Sequence, residues 1–240
     1  MTKALPLYQQ IRDHILSLIH SGELGPGDRL PTEAALATQF STARATVVHA
    51  LKELVFDGTI QRYAGRGSFV AVPKIDTPIV PGRITSLEEQ WQNSGKKITY
   101  EIISFERSIT SEQICQRLHL PKEAKISRLK RVRLANDLPM SLELRSFSSE
   151  LAARIPLASF ESKSFITLMR EDAQISTERV EGIIAATLAD TELAEALRVS
   201  VGAPLILRDY VFYGADGTPI SHGTSYFRSE VTFHYQTLNA

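Results

Sequence analysis

LPTEAALATQFSTARATVVHALKELVFDGTIQRYAGRGSFV, residues 30–70, decides the fold of the first third of the chain. Leu30-Pro31-Thr32-Glu33 opens a short helix that Thr32 caps and that turns Ala35, Leu36 and Phe40 inward. Phe40-Ser41-Thr42 breaks it. Ser41 or Thr42 caps the next helix, whose Val47, Leu51, Leu54 and Val55 form an apolar stripe ended by Gly58. Ile60 to Tyr63 and Ser68 to Val72 read as two short strands around Ala64-Gly65-Arg66-Gly67. Upstream, Leu7, Ile11, Ile15, Leu18 and Ile19 recur at helical spacing, which predicts a helix over about 6–21 before Gly22. Three helices and a hairpin make a winged helix. A helix presented by a tight turn enters a DNA major groove, and the hairpin beside it reaches the backbone or the minor groove.

Composition neither opposes nor advertises that partner. The 240 residues suffice for two ordinary domains, and 43% hydrophobic with 22% charged residues is the balance of a soluble globular protein. Formal net charge is zero, and residues 1–73 hold seven Lys/Arg against six Asp/Glu. DNA affinity must therefore come from the placement of charges rather than from bulk charge. The single cysteine, Cys115, excludes an internal disulfide and a multi-cysteine zinc site, and reads as an inert packed thiol. No signal peptide and no apolar run near the roughly 20 residues of a membrane span is evident, so a cytoplasmic location is expected.

With Val47, Leu51 and Leu54 inward, Ala43, Arg44, Ala45, Thr46 and His49 fall toward the outer surface of the third helix. Arg44 lies in its first turn, where a guanidinium can read guanine. Thr42 and Thr46 offer hydroxyls to phosphate beside the helix N-terminus, and Thr32 and Glu33 at the start of the preceding helix join the expected DNA-contact set. Arg66 between Gly65 and Gly67 can approach the minor groove at the hairpin tip. The competing reading makes Arg44 and Arg66 solvated surface arginines and His49 a surface histidine.

Residues 73–85 hold Pro73, Pro78, Pro81 and Gly82 with little periodicity, so a linker over 74–85 is expected between domains at 1–73 and 86–240. Beyond it, strands are read near 98–108, 125–135, 139–147, 175–187, 204–213 and 219–229, with turns at Asn136-Asp137 and Asp216-Gly217. Helices are read near 86–94, 111–118, 164–171 and 190–198. The second domain is therefore α+β with a mostly antiparallel sheet.

Residues 5–72 resemble the winged-helix domain of GntR-type bacterial transcription regulators. The resemblance rests on Tyr8-Gln9-Gln10-Ile11, Gly22-Glu23-Leu24, Gly27-Asp28-Arg29-Leu30-Pro31-Thr32-Glu33, Thr46-Val47, Leu51, Leu54, Gly58 and Gly65-Arg66-Gly67-Ser68-Phe69-Val70. Residues 82–238 resemble UTRA, the ligand-sensing domain of the HutC subgroup. There the matching residues are Arg131-Val132-Arg133, Asn136-Asp137-Leu138-Pro139-Met140, Glu143, Gly202-Ala203-Pro204-Leu205 and Tyr226-Phe227-Arg228. The second resemblance implies a chorismate-lyase-like fold used for binding rather than catalysis. The chain departs from the first pattern at Ala34 and Val48, where the family usually has arginine, and at Ser41, where glycine is common. A changed operator, weaker binding, or both are expected.

Arg131 and Arg133 share one sheet face. A three-residue loop over Asn136–Leu138 sets Arg131 opposite Glu143 and Arg133 opposite Ser141, whereas a two-residue turn shifts the parity and separates them. The resemblance favours the first arrangement and implies that the arginines hold a phosphate or carboxylate while Glu143 orients hydroxyl or amine groups. The alternative is a surface charge ladder in which Glu143 only pairs with Arg131. By resemblance Thr85, Ser86 and Ser164 match pocket positions, Tyr226 and Phe227 join the effector set, and Ile166 and His222 are altered pocket positions. Those two changes argue against copying an amino-sugar phosphate ligand.

The expected whole is a homodimeric regulator that binds double-stranded operator DNA, most simply as a repressor relieved by a small anion such as a phosphosugar or carboxylic acid. No cofactor, metal or membrane partner is expected. An enzyme on the chorismate-lyase-like domain and a regulator that has lost DNA binding are the alternatives.

Overall fold

Pro6 and Ser21 bracket the first helix, α1 (Leu7–His20), whose Ile11 and Ile15 are fully buried. The computed structural model describes residues 5–72, 75–79, 84–93 and 95–235, and the chain divides into two compact units, 1–73 and 74–240. In the first, α2 (Glu33–Gln39) is capped by Thr32, whose hydroxyl accepts from the Ala35 amide at 3.2 Å. α3 (Arg44–Phe56) starts after Ala43, which has no side-chain cap, so the expected capping by Ser41 or Thr42 does not occur. Ser41 instead makes the turn itself at φ +46°, and Ala43 takes the extended N-cap conformation.

Left-handed backbone costs an L-residue roughly 1–2 kcal/mol that glycine escapes. Ser41→Gly is therefore expected to stabilise the first unit by about 1 kcal/mol after glycine's larger entropy loss is subtracted. Calorimetry of the full chain reads this as a rise in the first unit's melting temperature; no rise would contradict it.

Val47, Ala50, Leu51 and Leu54 of α3 close on Ile11, Ile15 and Leu36. Two residues read as inward are not: Ala35 is exposed and Val55 is 40% exposed. The buried stripe is one i, i+3/i+4 row wide, and each of the two sits a helical step to its side. β1 (Ile60–Tyr63) and β2 (Gly67–Val70) pair antiparallel, Ile60 opposite Val70 and Tyr63 opposite Gly67, and complete the winged helix.

The second unit is built on a six-stranded antiparallel sheet. In space its strands run β4 (Ile98–Ile109), β5 (Ile126–Ala135), β6 (Leu138–Ser148), β9 (Pro219–Arg228), β8 (Pro204–Tyr213) and β7 (Arg179–Leu188). α5 (Glu112–Arg117) and α8 (Thr191–Leu197) pack on one face through Val132, Leu142, Leu193 and Leu197 and through Cys115 and Ile126. On the other face lie α4 (Leu87–Asn93), α6 (Ser149–Ala153), a 3-10 turn at Leu157–Glu161 and α7 (Phe165–Thr167), which runs into a π turn at Leu168–Asp172.

The stretch expected to be linker is in part a strand. β3 (Ile75–Ile79) pairs in parallel with β10 (Val231–Tyr235), and Ile75 and Val231 are buried beside Trp91. A pairing across more than 150 residues leaves no local periodicity, and Pro78 masks it further. Residues 74 and 80–83 of the expected linker lie outside the described residues.

The β5–β6 hairpin resolves the register question by a third route. The turn has two residues, Asn136 and Asp137, both left-handed at φ +49° and +62°. A bulge at Met140 then restores the parity: Ala135 faces Leu138 and Leu134 faces Pro139, but Arg133 faces Ser141 and Arg131 faces Glu143.

Candidate functional site

In the first unit a groove runs between the start of α2, the start of α3 and the β1–β2 hairpin. Thr32, Glu33, Arg44, Gly65 and Gly67 of the expected DNA-contact set line it, joined by Arg29 and Arg62. Glu33 accepts from Arg44 Nε at 2.7 Å and also from Arg62 Nη2. At the hairpin tip Gly65 (φ +73°) and Gly67 (φ +111°) flank the exposed Arg66, whose guanidinium lies 5.6 Å over the Tyr63 ring. The left-handed backbone at Gly67 disfavours any side chain there, and a Cβ would also lie 3.1 Å from Nε of the Arg29 side chain.

Ala43 and Ala45 are exposed and Thr42 and Thr46 half-buried around the α3 start. His49 is not brought to the groove; its ring packs edge-on to Tyr8 at 4.6 Å and lies 3.8 Å from Glu53. Arg29 and Arg62 were visible in the sequence as local basic residues, but only the fold assigns them to this groove.

The second unit holds a cavity of about 410 Å³ between the sheet and the layer formed by β3, α4 and α7. Ligand pockets for small molecules start at about 300 Å³. Of the expected effector set, Thr85, Ser86, Arg133 and Glu143 line it. Ser86 caps α4 through the Glu89 amide at 3.0 Å, and Thr85 accepts from Gln90 at 2.6 Å.

Beneath the cavity floor lies a buried charge network. Glu143 accepts from Arg131 Nε at 2.8 Å and from Arg145 Nε at 3.0 Å, with Arg133 Nη2 at 3.6 Å. Arg133 also donates to Glu88 and to Ser141, each at 2.8 Å. Arg131 is fully buried behind the cavity, donating to the carbonyls of Phe160 and Lys163 and stacking 3.8 Å from the Tyr100 ring. It does not line the cavity and is joined to the lining through Glu143. The charge ladder read as an alternative is thus present, but buried rather than on the surface.

Burial alone would raise both carboxyls. Arg145, Arg131 and Arg133 outweigh it at Glu143 and hold that group well below its usual range. At Glu88, Arg133 and the Tyr100 hydroxyl do the same.

Arg145 and Arg208 were missed. Arg145 follows Glu143 by two residues on the same strand, so alternation alone places it on the cavity face. It donates to Tyr210 at 2.6 Å and stacks 4.2 Å over Phe165. Gly223 beneath makes room: a Cβ there would lie 2.9 Å from the Tyr210 ring and 3.1 Å from the Arg145 guanidinium. Arg208 lines the cavity beside Tyr210 and forms no ion pair among the described residues. Burial, then the like charges of Arg133 and Arg145, pull its pKa down, against Tyr210.

Besides Arg131, four expected effector residues fall outside the cavity lining. Ser164 is buried as the α7 cap, 3.0 Å from the Thr167 amide. Phe227 is sealed against Trp91, Met140 and Val231. Tyr226 and His222 point to the opposite face of the sheet, since neighbours on a strand alternate. There His222 Nε2 lies 3.0 Å from Asp209 and 2.9 Å from Arg117. Ile166, the other altered position, does line the cavity.

Residues 7–70 match the family model of bacterial regulatory proteins of the gntR family, and residues 93–232 match the UTRA domain. The HTH-type transcriptional repressor NagR of Bacillus subtilis (strain 168) is 33% identical over 233 residues, 96% of this chain and 95% of its own. The mannosyl-D-glycerate transport/metabolism system repressor MngR of Escherichia coli (strain K12) is 28% identical over 225 residues, 94% and 92% of the two chains. The crystal structure of PhnF from Mycobacterium smegmatis superposes with a TM-score of 0.63 at 26% identity, covering 96% of this chain and 100% of that one. The family is one of regulatory proteins and NagR and MngR are repressors, so the enzyme alternative, which rested on fold analogy alone, is set aside. The winged helix with its arginine-lined groove and the sensing unit with its charged cavity are the two halves of one design: the chain belongs to the GntR family of DNA-binding transcriptional regulators and carries a UTRA domain.

Proposed function

We propose that the chain is a homodimeric repressor whose grip on operator DNA is released by a small anionic metabolite bound in the 410 Å³ cavity. The observation that carries the effector reading is Arg208, a cavity-lining guanidinium without an ion pair among the described residues. Arg133, Arg145, Arg179 and Arg208 of the lining, with Arg131 behind it, outnumber the lining carboxylates Glu88, Glu143 and Glu178 by two charges, which suits a dianion such as a phosphate monoester better than a monocarboxylate. The repressor reading is supported by the names of the relatives NagR and MngR.

One winged helix reads too few base pairs for useful specificity, and a two-fold dimer reads two half-sites about one helical turn apart. β7 at the sheet edge supports pairing of sensing units, because Ile183 and Ile184 are 62% and 50% exposed on a strand with one free side. Release is expected to run through β3. This strand lines the cavity with Thr77, Pro78 and Ile79, and it begins two residues after the first unit ends at Pro73. A ligand that binds one arrangement of β3 more tightly shifts the DNA-binding equilibrium by that difference in affinity and no more.

A thermal-shift series with hexose phosphates and with mono- and dicarboxylic acids tests the reading. A ligand at 100 times its Kd stabilises the folded state by about 2.7 kcal/mol. The expected result is a rise with a phosphate monoester that also releases operator DNA, and loss of that rise in Arg208→Gln. No response to any anion, or an undiminished response in the variant, would overturn it.

A further inference from the structure

We propose that Glu33 is a positioning residue that holds Arg44 and Arg62 side by side over the groove, which makes Arg62 a second reader of duplex DNA. Glu33 is the first residue of α2, Arg44 the first of α3, and Arg62 lies on β1, so the carboxylate ties together all three walls of the groove. Its side chain is only 14% exposed, whereas Arg44 and Arg62 are 75% and 42% exposed, so the guanidiniums reach out past the carboxylate that anchors them.

A carboxylate facing a polyanion repels it unless it is outnumbered. Here one carboxylate meets two guanidiniums, and Arg29 in the same groove adds a third cation. An exposed ion pair does little for stability, so the arrangement is better explained by what it does to the arginines. A free arginine surrenders much rotamer freedom when it docks on a base edge, and one already fixed by a partner surrenders less.

The atoms used matter. Arg44 meets Glu33 through Nε, so both of its terminal nitrogens remain for the O6 and N7 of guanine. Arg62 meets Glu33 through Nη2, and its Nε and Nη1 remain. Ala34, next to Glu33, lines the same groove with only a methyl group. A guanidinium from the hairpin thus stands beside the position where α2 carries no cation of its own.

The test is a selection of duplexes of about two helical turns from a random pool on the full-length protein. The chosen duplex and its scrambled counterpart are then titrated over a salt series with Glu33→Gln, Glu33→Asp, Arg62→Ala and Arg62→Lys. Glu33→Gln is expected to strengthen scrambled-duplex binding and to steepen the salt dependence by about one phosphate contact, a change near 0.9 in log–log slope. The preference for the chosen duplex is expected to fall about tenfold.

Arg62→Ala is expected to weaken binding of the chosen duplex by about five-fold or more and to relax one base position per half-site. Arg62→Lys is expected to keep scrambled binding but lose that preference, because a point charge cannot replace the planar fork. Glu33→Asp keeps the charge with a shorter reach, so it is expected to lose preference without the steeper slope. A merely structural carboxylate would lower the melting temperature and leave preference and salt slope unchanged; that pattern overturns the positioning role. Wild-type affinity and base preference in Arg62→Ala would overturn the reading role. Failure of the wild-type protein to select any duplex would instead count against DNA binding itself.

Discussion

Glu143→Ala is expected to destabilise the sensing unit by about 3–5 kcal/mol, the usual cost of removing one partner from a buried ion network. Glu143 is fully buried, and three guanidiniums converge on it. Without it, Arg131 and Arg145 lose their only carboxylate among the described residues, while Arg133 keeps Glu88. Arg131 retains two backbone carbonyls and the Tyr100 ring, but no ion pair among the described residues. The measurement has a built-in reporter: the one tryptophan of the chain, Trp91, is buried in the second unit, so its fluorescence during urea unfolding follows that unit. A midpoint within error of the wild type would show that the network adds nothing net to stability.

The same residue predicts a pH dependence. Its carboxyl titrates well below the ordinary value of 4.5, because the three arginines outweigh burial. A carboxyl depressed in the folded state contributes stability that is fully present above its unfolded pKa and is lost as pH falls through the folded value. The wild-type sensing unit is therefore expected to lose stability as pH falls below about 4.5, and Glu143→Gln to lose less over that interval. Equal acid slopes for the two proteins would place the acid sensitivity elsewhere, with Glu88 the next carboxylate to replace.

Arg44→Ala is expected to weaken binding to the preferred operator by about 1–3 kcal/mol, roughly five- to 150-fold in Kd, and to relax one base position in each half-site. The reason is placement: Arg44 opens α3, its side chain is 75% exposed, and its terminal nitrogens are free of Glu33. Fluorescence anisotropy at one fixed salt concentration reads both affinity and preference. Equal losses on operator and random duplex would reassign Arg44 to phosphate contact.

Much of this was legible from local pattern. The i, i+3/i+4 rows of Ile11, Ile15, Val47, Leu51 and Leu54, the capping threonine at position 32 and the glycine-flanked Arg66 are short-range features, and the winged helix follows from them. The strands of the sheet were legible through alternation and turn residues, and alternation would also have flagged Arg145 beside Glu143 and separated Tyr226 from Phe227. What was not legible was long-range. The pairing of β3 with β10 joins residues more than 150 apart, and Glu33 meets Arg62 from 29 residues away.

The amino-acid pattern by itself therefore determined the two-domain plan and which residue types each domain offers, because helical and strand periodicity, caps and turns act between neighbours. Only the tertiary structure decided which of those residues share a site. The Met140 bulge set Arg131 and Arg133 opposite Glu143 and Ser141 despite a two-residue turn. The sheet order brought Arg208 of β8 to the same cavity as Arg133 of β5 and Arg145 of β6. Strand register and order arise from contacts between distant segments, and those contacts leave no periodic trace in the chain.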